Sequence, residues 1–287
     1  MTTKQITIPQ DFILGAAASA WQTEGWSGKK AGQDSWIDLW YKNDRHVWHN
    51  GYGPAVATDF INRFREDVAL MKQAGLTHYR TSINWSRFLT DYEKVTVDEE
   101  YAAYYDALFD EMHRQGIEPM ICLEHYELPG VLLDTYGGWA SKQVVDLFVR
   151  YAEKVFERYH GKVTRWFTFN EPIVVQTRVY LDALRWPYEQ NTGKWMQWNH
   201  HKVWRRQRLY SCFVPKATLA RLAVFSTPKS PILDRAHRTM LTPQRSTICS
   251  ITAYFSIRWC TGATRQNCLR CWNSIRWRGT TPRKNWN

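Results

Sequence analysis

The chain has 287 residues, room for one large domain or two smaller ones, and a closed (β/α)8 barrel alone takes roughly 250. A hydrophobic content of 44% excludes a mainly disordered chain. No uncharged apolar stretch reaches the roughly 18 residues that a membrane-spanning helix needs. The net charge of +11 would suggest an anionic partner, but its placement argues otherwise. Residues 1–202 carry 22 Lys and Arg against 26 Asp and Glu, while residues 203–287 hold the other 16 against Asp234 alone.

The first 200 residues alternate strand-like and helix-like runs. Phe12 to Ala20 is a short, mostly apolar run after Pro9 and reads as a buried strand. Thr58 to Ala74 places Phe60, Phe64, Val68 and Met71 at helical spacing, with Gly75 as the stop. His78 to Trp85, rich in β-branched and aromatic residues, reads as the next strand. Asp98 is placed to cap a helix carrying Tyr101, Tyr105, Leu108 and Met112, which ends near Gly116. Glu118 to Tyr126 is a third strand. Ser141 caps a helix with Val144, Phe148, Tyr151, Val155 and Tyr159 on one side, and Val163 to Glu171 is a fourth strand broken by Pro172.

This alternation predicts βαβ units and a parallel sheet, either doubly wound or closed as a barrel. No glycine-rich phosphate loop follows any strand, which weakens a nucleotide-binding fold. From Val203 onward no sustained helical stripe or clean strand alternation can be traced. Cys122 stands alone in the first part, and Cys212, Cys249, Cys260, Cys268 and Cys271 crowd the rest. Met1–Gln10 shows no secretory signal, so a soluble, cytoplasmic chain without paired disulfides is expected.

In a parallel (β/α) fold, chemistry belongs at the C-terminal ends of the strands. Three such ends carry polar side chains in apolar surroundings: Gln22, the pair Glu124 and His125, and the pair Asn170 and Glu171. Thr168-Phe169-Asn170-Glu171-Pro172 is the strongest of these signals. A carboxyl at the mouth of a buried strand can stay protonated and donate, and a neighbouring amide can bond a sugar hydroxyl. The blander reading is a strand end turned by Pro172 with Glu171 merely solvated. Likewise, His125 could be a satisfied core histidine and Arg80 a structural partner for any carboxylate.

Residues 12–202 resemble the first half of glycoside hydrolase family 1, the β-glucosidase and 6-phospho-β-glucosidase family. The resemblance is carried by Phe12 to Gly25, by Tyr79-Arg80-Thr81-Ser82-Ile83-Asn84-Trp85-Ser86-Arg87, by His125-Tyr126-Glu127-Leu128-Pro129 and by Thr168 to Pro172. It implies the first half of a (β/α)8 TIM barrel and retaining hydrolysis of β-glucosides without cofactor or metal. By the same resemblance Glu171 is the general acid/base. Gln22, His125 and Asn170 bind the sugar, and Arg80 supports the nucleophile. The form His-Tyr-Glu-Leu-Pro and the run from Trp186 to Lys202 look more like the 6-phospho-β-glucosidase branch, which implies a phospho-β-glucoside as partner.

The resemblance stops near Lys202, which divides the chain into residues 1–202 and a basic tail of residues 203–287. A family member should supply a nucleophilic Glu in a Glu-Asn-Gly motif. No such triplet occurs, and no Glu follows Glu189. The first reading of the tail is an out-of-frame or otherwise non-native end, which would leave the chain inactive and its sheet edges open to aggregation. The alternatives are a nucleic-acid-binding extension built from Arg and Trp and a metal site around Cys268 and Cys271. For the whole chain, the competing class is a catalytically dead carbohydrate-binding protein.

Overall fold

The computed structural model describes residues 12–204 and 221–225, with residues 203, 204 and 221–225 described by their backbone. In chain order, β1 (Gly15–Ala17) is followed by the single turn α1 (Ala20–Thr23) and by α2 (Trp36–Asn43). α2 begins in a capping box: the Ser35 hydroxyl accepts from the Asp38 N–H, and the Asp38 carboxylate accepts from the Ser35 N–H. α3 (Phe60–Gln73) buries Phe60, Phe64 and Val68, and Gly75 turns away behind it at φ 78°.

β2 (His78–Ser82) leads into the short α4 (Trp85–Phe88) and the small antiparallel pair β3 (Leu89–Asp91) and β4 (Thr96–Val97). The Asp98 side chain accepts from the Tyr101 N–H and so starts α5 (Glu99–Arg114). β5 (Glu118–Glu124) and α6 (Gly130–Tyr136) precede α7 (Lys142–Tyr159), which is capped by Ser141. β6 (Arg165–Asn170), α8 (Val174–Tyr180), α9 (Thr192–Trp204) and β7 (Arg221–Phe225) complete the described chain.

The five long-range strands pair in the order β1-β2-β5-β6-β7, every pair parallel. This order never reverses, so the sheet lacks the switch point of a doubly wound fold and has the sequential winding of a barrel. The fold is α/β with parallel β/α units and a partial barrel sheet.

Two features depart from the sequence reading. Phe12 to Ala20 was expected to be a buried strand, yet β1 spans three residues and is exposed. Among the described strands it sits at the end of the order and pairs with β2 alone, so the apolar run has a described neighbour on one side. The second departure is β7, a strand within the segment where no strand could be traced. Leu222-Ala223-Val224-Phe225 is a continuous apolar run, the pattern of a parallel strand covered on both faces, and it lacks the alternation that marks half-buried strands. The rest of residues 203–287, with the candidate metal and nucleic-acid segments, lies outside the described residues. Among those described, no helix is long and apolar enough to cross a membrane.

The core lies between the sheet and helices α5 and α7. α7 contributes ten buried side chains, each fully buried Val, Leu or Phe stabilising by about 1.5–3 kcal/mol. Trp85 is fully buried with ring centroids 5.1 Å from Phe148, 5.5 Å from Tyr151 and 5.7 Å from Trp139. The Tyr151 hydroxyl lies 3.1 Å from the Ile83 carbonyl and 3.2 Å from the Leu123 carbonyl, so α7 holds the ends of two neighbouring strands by one polar atom. Tyr151→Phe is therefore expected to lower unfolding stability by about 1–2 kcal/mol, the cost of leaving buried carbonyls without their donor. A urea titration would show this as a lower midpoint at unchanged slope. An unchanged midpoint would show that these contacts carry no stability.

Candidate active site

The C-terminal ends of β2, β5 and β6 and the turn after β1 open into a cavity of about 430 Å³. Gln22, Arg80, His125, Asn170 and Glu171, singled out from four separate stretches of sequence, all line it. Trp21, Trp40, Tyr126 and Arg185 line it as well.

Three strands supply a chain of hydrogen bonds that runs one way. Arg80, within β2, donates from Nη2 to the Asn170 Oδ1 at 2.9 Å. Asn170, the last residue of β6, donates from Nδ2 to the Tyr126 hydroxyl at 3.3 Å. Tyr126, just beyond β5, donates in turn to the Glu171 carboxylate. A cation therefore begins the chain and a carboxylate ends it, the order in which such bonds polarise one another. The Asn170 amide keeps one N–H beyond its bond to Tyr126, as a sugar hydroxyl would require. Burial first, and then the bond to Glu171, raise the Tyr126 hydroxyl well above the ordinary phenol range, so it stays a donor.

Backbone geometry aims these groups. Glu171 precedes Pro172, which disfavours the right-handed helical region for it, and it adopts φ 43°. The turn closes through the Val174 N–H bonded to the Glu171 carbonyl at 3.0 Å. Tyr126 also lies at positive φ, 77°. For residues with a Cβ such backbone costs about 1–3 kcal/mol each, and here two adjoining cavity residues carry it.

His125 is 8% exposed, and burial, followed by the nearby Arg80 charge, pushes its imidazole down to about 3. It is therefore neutral at physiological pH, with its Nδ1 buried and lacking a partner among the described residues. Its backbone N–H donates to Glu127 at 2.6 Å, and the Ser82 hydroxyl donates to the same carboxyl at 2.5 Å. Glu127 is fully buried, and desolvation pushes it up to about 8. Gln22 is more exposed, its Oε1 held by the Ser19 hydroxyl at 2.8 Å.

Sequence reasoning quoted Tyr126 only as part of a motif and passed over Trp40 and Arg185. Trp40 had a signal available: with Trp36 and Trp48 it forms a tryptophan cluster, at centroid distances of 5.5 and 5.3 Å. Arg185 had none, because it lies on a loop with no periodicity. Glu171 is the one carboxylate among the described lining residues. No cluster of three or more His, Cys, Asp or Glu suited to a metal ion occurs among the described residues.

The family model described as Glycosyl hydrolase family 1 matches residues 4–281, further along the chain than the motifs reach. The 6-phospho-beta-glucosidase GmuD of Bacillus subtilis is 34% identical over 202 residues, covering 70% of this chain and 43% of its own length. Beta-glucosidase 42 of Arabidopsis thaliana is 36% identical over 172 residues, covering 60% and 35%. This chain thus spans less than half the length of these curated relatives. Among solved structures, the AHE enzyme of Alicyclobacillus herbarius superposes with a TM-score of 0.73 at 26% identity, over 83% of this chain and 54% of that one. Beta-glucosidase 2 of Trichoderma reesei gives 0.70 at 28% identity, over 76% and 48%.

The two buried titratable groups pull stability in opposite directions with pH. Between about 3 and 6.5 the unfolded chain takes up a proton that folded His125 refuses, so this contribution is lost as pH falls through that window. Between 4.5 and about 8 folded Glu127 keeps a proton that the unfolded chain releases, so stability falls as pH rises there. Glu127→Gln is expected to flatten the decline on the alkaline side, read from urea midpoints at a series of pH values. A profile identical to that of the unsubstituted chain would show that Glu127 does not set it.

Proposed function

The chain belongs to glycosyl hydrolase family 1, and we propose that its cavity serves the hydrolysis of β-glucosides, with 6-phospho-β-glucosides as the preferred substrates. One observation carries the reading: five side chains chosen for carbohydrate chemistry share a cavity, with Glu171 at the end of a hydrogen-bond chain that begins at Arg80. Glu171 is the general acid/base, delivering a proton to the leaving oxygen. Asn170, His125 and Gln22 hold sugar hydroxyls, and neutral His125 can do so as donor or acceptor. Arg80 supports the nucleophile. The names of several relatives, such as GmuD, favour phosphorylated sugars, which would place the protein where such sugars occur, in the cytoplasm. Beta-glucosidase 42 is as similar without that word in its name, so the phosphate preference rests on the His-Tyr-Glu-Leu-Pro form and on these names together.

Retaining hydrolysis uses a second carboxylate at about 5–5.5 Å from the first. Among the described residues the cavity has Glu171 alone. That observation favours a second reading, carbohydrate binding without turnover. Both readings leave the tail of residues 203–287 as a segment to which we assign no part in the chemistry.

A small anion can stand in for a missing nucleophile, attacking the anomeric carbon as the phenol leaves with a proton from Glu171. Phenol release from phenyl β-glucoside 6-phosphate is therefore expected to depend on added azide. Glu171→Gln should slow that release by about a hundredfold or more, the ordinary weight of a general acid. An azide-dependent rate that Glu171→Gln leaves untouched would remove Glu171 from the reaction. Saturable binding with no phenol release even in azide would decide for the second reading.

A further inference from the structure

We propose that Arg185 selects substrates carrying a negatively charged group, carboxylate or phosphate, on the leaving-group side of the glycosidic bond. The inference rests on the glycoside reading above.

Arg185 lines the cavity with its guanidinium carbon 5.5 Å from the centroid of the Trp40 ring. Among the described residues that guanidinium has no ion pair and no hydrogen bond. Its neighbour Arg178 pairs with Asp182 at 2.8 Å, and Arg158 is held by Asp106 and Glu99. Arg45 and Arg65 also lie over aromatic rings, but they are exposed to water. Arg185 is half-buried, so its donors are partly stripped of water without an acceptor in return. Burial leads the causes that push its guanidinium below the usual range. An arginine with five planar donors in such a place fits a carboxylate or phosphate oxygen pair.

The loop around Arg185 is held, so the guanidinium is positioned before any ligand arrives. The Leu184 and Arg185 N–H groups donate to the Arg178 carbonyl at 2.8 and 3.2 Å, and the Tyr188 N–H donates to the Arg185 carbonyl at 2.8 Å. From the other side, the Trp36 indole donates to the Trp186 carbonyl at 3.1 Å, and the Trp40 indole donates to the Tyr188 hydroxyl at 3.2 Å.

The loop of Arg185 folds back on α8, the helix that follows Glu171, through the Arg178 carbonyl, and Arg185 and Glu171 line the same cavity within reach of each other's charge. Arg185 thus belongs to the Glu171 side of the cavity. A proton donor sits at the glycosidic oxygen, so a cation on its side faces the departing group.

The test is calorimetric binding of three ligands to the intact chain and to Arg185→Gln: phenyl β-glucoside, 4-carboxyphenyl β-glucoside and phenyl β-glucoside 6-phosphate. The carboxylate is expected to tighten binding about tenfold over the neutral phenyl ring, as one charge-assisted pair allows. In Arg185→Gln that ratio should fall to about one, while the ratio conferred by the 6-phosphate persists. A carboxylate that gains nothing, or a gain that survives Arg185→Gln, overturns the proposal. Loss of the 6-phosphate ratio alone overturns the leaving-group placement and moves the charge to the sugar. No binding of even the neutral glucoside to the unsubstituted chain sinks the glycoside reading, and this one with it.

Discussion

The arrangement of the cavity depends on one constraint: groups from three parallel strands must meet at atoms that only hydrogen bonds can bring into register. Arg80 reaches from β2, Asn170 from the end of β6 and Tyr126 from just past β5, and the bonds between them end on Glu171. Each donor has its acceptor on another strand or strand end, with Arg80 reaching past β5 to Asn170, so turning any member breaks a bond of the chain. The parallel registry of β2, β5 and β6 fixes the lateral order of these groups, and the backbone turn at Glu171 fixes their height.

Beneath this layer lie three buried carboxyls, each of which would be costly alone. Glu24 takes bonds from the Tyr101 and Tyr105 hydroxyls, Glu127 from Ser82 and the His125 backbone, and Glu124 from the Tyr126 N–H at 2.9 Å. The Lys202 ammonium lies 3.3 Å from Glu124, with both side chains 1% exposed. A buried pair of this kind adds little net stability, yet removing one partner costs about 3–5 kcal/mol. It therefore acts as a register pin, fastening the end of α9 to the end of β5.

Periodicity made the helices legible. Phe60, Phe64 and Val68 fell on one buried face, and Asp98 and Ser141 capped their helices by accepting from N–H groups of the first turn. Strand ends were legible where a polar residue interrupts an apolar run, as at Glu124-His125 and Asn170-Glu171. The strands of lowest information were not. β1 is three exposed residues whose pairing depends on β2, and β7 is a short apolar run inside a basic stretch, without the alternation that marks a half-buried strand. Tyr126 and Arg185 escaped because their importance is relational: a tyrosine beside a histidine, or an arginine before a Trp-Pro pair, means nothing until folding sets it against Glu171.

Charge finally links the site to its ligands. His125 is kept neutral by burial, so among the described residues the lining offers two guanidinium groups, Arg80 and Arg185, and one carboxylate, Glu171. In a complete retaining site the nucleophile would sit beside Arg80 and cancel one of those charges, turning the pair into machinery for the covalent step. With one carboxylate, the surplus positive charge acts on whatever enters. It favours an anionic substrate over a neutral one, because the field of a half-buried guanidinium is poorly screened by water. The charges of the described lining thus suit an anionic glycoside better than a neutral one.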